Sequence, residues 1–251
     1  MRQELNEGIL TLTLDRPERL NAVDATEMNA LAKVVEQAGS RSEVRVVVLR
    51  GEGRALCSGL DLPSFDVPDA AATIDAANRL VAAMTSIPKP VVVLARGAVA
   101  GVGVPIALAG DLVIADTNSY LLLAFTRIGL MPDGGSTALV AASVGRAKAM
   151  RMALLAEKLT ACEALEAGLI THVVDPEAYD VEVAAVLGQL AHGPVVAYAR
   201  TKAAINAATL GSLGAAFDLE KAGQIGLLNA NDFAEGATAF AEKRSPQFAD
   251  H

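Results

Sequence analysis

The sequence has no tryptophan, only two cysteines and three histidines in 251 residues, and its aromatic side chains amount to 4%. These scarcities remove several kinds of chemistry. Cys57 and Cys162 stand far apart, and His172, His192 and His251 fall in no C-x-x-C or H-E-x-x-H pattern, which argues against a metal centre. Positive charge is also short. With 21 basic and 29 acidic residues the formal net charge is -8, the wrong sign for a nucleic-acid footprint, so an anionic ligand must be met by local groups. The N-terminal MRQELNEGILTLTLDRP lacks a basic region followed by an apolar stretch of signal-peptide length, so a reducing, cytoplasmic setting is expected.

What is present is apolar: 52% hydrophobic against 20% charged residues, the balance of a globular α/β enzyme. The chain suits one large domain, or one domain with an appended module. Residues 91 to 110 form the run closest to a membrane span. Arg96 within it would cost roughly 2.5 to 3.5 kcal/mol at a bilayer centre, and its glycines and Pro105 weaken a spanning helix, so the run reads as buried core.

Alternation in GILTLTL (8 to 14) and the β-branched EVRVVVLR (43 to 50) predict strands, as do PVVVLA (90 to 95) and DLVIAD (111 to 116). Between the first two, DATEMNALAKVVEQAG predicts a helix with Asp24 as N-cap and Glu27 completing a capping box. A second helix is expected near 71 to 86. From about residue 136 the pattern is helical, interrupted at Gly145, Gly168, the strand-like THVVD (171 to 175), Gly193-Pro194 and Gly211. This divides the chain into a core of residues 1–190 and a helical region of 191–251. No repeat with a clear sequence period is present.

The stretch GAVAGVGVPIALAGD (97 to 111) places glycines between a strand and a helix, as dinucleotide loops do. The spacing fails: Gly101 and Gly103 fit G-x-G-x-x-G, but Ile106 occupies the third glycine position and no acid follows about 20 residues on. Close backbone approach and free N–H groups at a helix start survive that rejection. Tight packing of small residues on a sheet is the alternative explanation.

Six ordered segments carry a resemblance: RPERLNAVD (16 to 24), GEGRALCSGLDL (51 to 62), RGAVAGVGVPIALAGDLVIA (96 to 115), FTRIGLMPDGGST (125 to 137), ALEAGLITHVV (164 to 174) and FAEGATAFAEKRSPQF (233 to 248). Together they resemble the crotonase superfamily of enoyl-CoA hydratases and isomerases. The resemblance implies an α/β fold, a spiral of ββα units with a helical C-terminal trimerisation region, assembled as a homotrimer or dimer of trimers. It implies an acyl-CoA thioester substrate, with coenzyme A entering as part of the substrate and no separate cofactor. By motif position, the amides of Leu60 and Val102 would hold the thioester oxygen. Glu18, Arg19, Leu20, Ser58, Asp61, Leu62, Phe240 and Lys243 would contact coenzyme A, Arg19 being the best phosphate partner chemically.

Hydratases of this family use two glutamates. Here Pro105 and Phe125 stand in their places, which puts a direct hydratase copy in doubt. An acid does occur at Asp133, where some isomerases of the family and a dehalogenase branch carry a working aspartate; alternatively, Pro-Asp-Gly-Gly is simply a turn. One carboxylate suffices to move a double bond, so isomerisation of 3-enoyl-CoA to 2-enoyl-CoA by Asp133 is the leading expectation. A hydratase with non-standard acids and an inert acyl-CoA-binding protein are the alternatives. The dehalogenase chemistry calls for an aromatic pocket, which the lack of tryptophan disfavours. Cys57 and Ser58 have no histidine near them in sequence to activate them.

Overall fold

Runs of valine decide where the main sheet lies. In the computed structural model, which describes residues 1–62, 65 and 67–250, β3 (Val46–Gly51), β5 (Val91–Ala95) and β7 (Leu112–Asp116) are the parallel centre of a six-stranded sheet. Side chains alternate between two apolar layers. Val47, Leu49, Val91 and Val93 face the large core, while Val46, Val48, Val92 and Ile114 face a smaller one closed by Tyr179 and Val183. Burial on both faces is why these strands read as unbroken apolar runs.

The sheet is extended by β2 (Ile9–Leu14), β1 (Arg2–Asn6) and, at the other edge, β10 (His172–Val174), in the order β1-β2-β3-β5-β7-β10. A second sheet has the order β4 (Ala55–Cys57), β6 (Ala98–Ala100), β8 (Tyr120–Leu122) and β9 (Lys158–Thr160). The chain thus lays one strand in each sheet and then a helix: β3 and β4 precede α2 (Ala70–Ser86), β5 and β6 precede α3 (Gly103–Leu108), and β7 and β8 precede α4 (Ser136–Leu155). This is the expected spiral of ββα units, repeated in structure without a repeated sequence.

Local signals account for most boundaries. Asp24 caps α1 (Ala25–Ala38) by accepting from the Glu27 amide at 2.8 Å. The Glu27 side chain, expected to complete the box, instead pairs with the N-terminal ammonium at 3.4 Å. Gly145 breaks the helical backbone inside α4 with φ of 74°. After α5 (Ala161–Glu166) and β10, the remaining elements are helical: α6 (Tyr179–His192), α7 (Val195–Thr209), α8 (Leu213–Leu228) and α9 (Asn231–Glu242). Residues 91 to 110 fold as β5, β6 and α3, a buried segment as expected. No single described helix is long and apolar enough to cross a membrane.

Candidate active site

The second sheet brings the two glycine-bearing loops together. Parallel pairing of β4 with β6 and of β6 with β8 aligns the loops leaving their C-terminal ends, the usual place for a ligand in parallel sheets. Gly59 (φ 106°) and Gly101 (φ 53°) meet there backbone to backbone: a Cβ on Gly59 would lie 3.1 Å from the Ala100 carbonyl oxygen and 3.5 Å from the Gly101 Cα. A side chain at Gly59 would press on the Ala100 carbonyl, and both glycines hold positive φ values that L side chains rarely adopt. The amides of Leu60 and Val102 follow directly, and among the described residues neither has an acceptor. The first loop is fixed by Val23, whose N–H donates to the Gly59 carbonyl and whose carbonyl accepts from Asp61, both at 2.9 Å. Gly101 is fixed by its N–H to the Leu122 carbonyl at 3.0 Å.

Leu60 and Val102 open onto a cavity of about 630 Å³. Its walls include Met28, Ile74, Ala77, Phe125 and Leu130, and the carboxylates lining it, among the described residues, are Asp61 and Asp133. Asp61 is buried in an ion pair, with Oδ2 at 2.6 Å from Arg16 and Oδ1 at 2.9 Å from Arg19. Arg19, whose side chain stays partly exposed, also lines the cavity.

Asp133 is different. It is buried, and no cation pairs with it among the described residues. A turn does form at Pro-Asp-Gly-Gly, but through the main chain: the Asp133 carbonyl accepts from Ser136 N at 3.1 Å and from Ser136 Oγ at 2.6 Å. The carboxylate also accepts from Gln224 Nε2 at 3.0 Å. Burial pushes its pKa up to about 7; the Gln224 hydrogen bond opposes that rise, the Glu220 charge adds to it, and the Asp133 amide opposes it. A Cβ on the adjacent Gly134 would lie 3.1 Å from Pro105 Cγ and 3.5 Å from Val102 Cγ2. The turn bearing Asp133 therefore packs against both the Val102 loop and Pro105.

Of the other expected contacts, Arg19, Leu20, Ser58, Leu62 and Phe240 line the cavity, whereas Glu18 and Lys243 do not. Phe240 reaches it from α9 and remains 65% exposed. Ser58 Oγ donates to the Arg19 carbonyl at 3.2 Å, joining the two loops expected to meet coenzyme A. Cys57 is buried, and burial pushes its thiol up to about 12, so it holds no thiolate near neutrality. Gln224, Arg127 and Tyr120 also line the cavity and were not anticipated. For Gln224 a signal existed: the buried stripe of α8 runs Leu213, Ala216, Glu220, Gln224, Leu228, with two polar residues where apolar ones belong. A groove of about 750 Å³ beside α7 is lined by Lys202, but that ammonium is committed to Asp111 at 2.9 Å and the Met84 carbonyl at 2.7 Å.

Residues 4–251 match the family described as enoyl-CoA hydratase/isomerase. A probable enoyl-CoA hydratase of Rhodobacter capsulatus is 42% identical over 99% of this chain and 97% of its own. The 1,2-epoxyphenylacetyl-CoA isomerase of Escherichia coli is 39% identical, covering 97% and 96% of the two chains. Among solved structures, an enoyl-CoA hydratase from Mycobacterium avium subsp. paratuberculosis superposes with a TM-score of 0.94 at 46% identity, over 99% of this chain and 98% of that one. With the ββα spiral, the paired glycine loops and the matched motifs in agreement, the chain belongs to the enoyl-CoA hydratase/isomerase family of the crotonase superfamily.

Proposed function

We propose that the protein isomerises 3-enoyl-CoA to 2-enoyl-CoA with Asp133 as its single acid–base group. The observation that carries this reading is the meeting of one buried carboxylate, which no cation pairs among the described residues, with two amides that have no acceptor there, in one apolar cavity. Ionised Asp133 takes a proton from C2 of the substrate. The released electron pair moves onto the thioester oxygen, giving a dienolate that accepts hydrogen bonds from Leu60 N–H and Val102 N–H. The protonated Asp133 then returns its proton at C4, which leaves the double bond between C2 and C3. An oxyanion donor of this kind is worth roughly 2.7 to 4 kcal/mol in the transition state. A carboxylate pKa of about 7 suits the base, because the ionised form is available near neutrality and its conjugate acid still releases the proton.

Arg19, with Arg16 and Asp61 behind it, is the phosphate-facing side of the same proposal, and Leu20, Ser58, Leu62 and Phe240 complete the coenzyme A contacts. Residues 191–251 serve as the oligomerisation region of a homotrimer or dimer of trimers; Val196, Ile205 and Leu219 on α7 and α8 leave apolar surface outward, which supports this. Hydration is the second reading, favoured by the name of the 42% identical relative. It needs a group to activate water, and Pro105 and Phe125 supply none. Incubation with 3-enoyl-CoA and, separately, 2-enoyl-CoA separates the readings: isomerisation gives exchange between these two thioesters, hydration gives a 3-hydroxyacyl product, and binding without turnover identifies an inert protein.

A further inference from the structure

Asp133 lies in a segment held by one helix. Two side chains of α8, four residues apart and both buried, take the main-chain donors around it. Glu220 accepts from Gly135 N at 2.6 Å, Thr137 N at 2.8 Å and Thr137 Oγ1 at 2.5 Å. Gln224 Oε1 accepts from Met131 N at 3.1 Å, and its Nε2 donates to Asp133 Oδ2 at 3.0 Å. The orientation of the Gln224 amide follows from its partners. A main-chain N–H can only donate, so Oε1 must face Met131 and the N–H must face Asp133.

We infer that Gln224 is a positioning residue for Asp133, fixing one carboxylate oxygen so that the proton can be taken at one carbon and returned at another. This rests on the reading of Asp133 as the base. Moving a proton from C2 to C4 with one carboxylate demands a defined direction of approach to both carbons, and small misplacements of a reacting group cost large factors in rate. Gln224 supplies that direction from outside the Asp133 loop, through a donor that also favours the ionised carboxylate. The charged and titratable groups around Asp133 are Glu220 on the same helix and, along the cavity, Arg19, Asp61, Tyr120 and Arg127. Arg19 and Asp61 are mutually paired, and Arg127 donates to the Ala156 carbonyl at 2.9 Å, so Gln224 is the side chain that donates to Asp133 among the described residues.

The test uses Gln224→Met, which keeps length and removes the donor, and Gln224→Glu, which keeps shape and sets a second carboxylate against Asp133. In Gln224→Met we expect kcat to fall by about 10- to 100-fold with KM changed less than about 3-fold, and the midpoint of the pH–rate profile to move upward. In Gln224→Glu the midpoint moves further upward, because two facing carboxylates resist double ionisation. Asp133→Asn is run alongside. If Asp133→Asn is inactive while both Gln224 variants keep the wild-type kcat and midpoint, the positioning role is overturned alone. If Asp133→Asn keeps the wild-type rate, the base assignment fails and the positioning role falls with it.

Discussion

Gln224 donates to the Asp133 carboxylate across 3.0 Å, joining α8 to a loop 91 residues earlier in the chain. That hydrogen bond opposes, without cancelling, the effect of burial, and the carboxyl is left with a pKa of about 7. If the ionised form is the base, kcat/KM for isomerisation rises with pH through a midpoint near 7 and then levels. A profile already flat from about pH 5 would instead indicate an ordinary carboxylate. Initial rates in a constant-ionic-strength buffer series give the midpoint.

The same shift carries a stability prediction of definite sign. In the unfolded chain Asp133 ionises near the usual aspartate value of about 3.9, so between there and about pH 7 the folded protein holds the extra proton and loses stability as pH rises. Asp133→Asn removes this dependence and can still accept from Gln224. The variant should unfold at higher denaturant concentration than the wild type at pH 8, by at most about 4 kcal/mol, and the gap should close toward pH 4. Urea titrations at the two pH values measure it.

A main-chain donor can be deleted where the backbone already suits proline. Val102 has φ of -62°, close to the value proline fixes, so Val102→Pro removes its N–H while keeping that φ. We expect kcat to fall by about 10² to 10³-fold, with the melting temperature as the control for folding. A rate within about 2-fold of wild type would remove Val102 from the oxyanion site.

Asp61 separates stability from binding. Asp61→Asn leaves Arg16 and Arg19 without their shared carboxylate; because both guanidiniums reach solvent, the cost stays below the roughly 3 kcal/mol of breaking a fully buried pair. The same change adds net positive charge beside the expected phosphates. Stability therefore falls while the KM for the thioester holds or decreases, and that KM rises with added salt.

The legible part of this fold was the part written in local patterns. Val46 to Leu49 and Val91 to Val93 announce their strands because both faces are buried, and Asp24 announces α1 through its cap. β1 was not legible: Arg2 to Asn6 is exposed throughout, and it pairs only because Glu7 and Gly8, at φ of 47° and 82°, turn the chain back onto β2. β9 alternates over only three residues, too short a span to stand out from its surroundings. At the site, Leu60, Val102 and Asp133 sit beside glycines whose loops stand out in sequence. Glu220 and Gln224 interrupt the apolar stripe of α8, but their role is not legible locally, because their partners lie 83 to 93 residues away.

The most direct test of Asp133 as the proton carrier is hydrogen exchange at C2 of 3-enoyl-CoA in D₂O, followed by NMR in wild type and Asp133→Asn at pH 8. The expected result is a loss of at least about 10²-fold in exchange and isomerisation together, with thioester affinity unchanged. Equal isomerisation rates in the two proteins would contradict it.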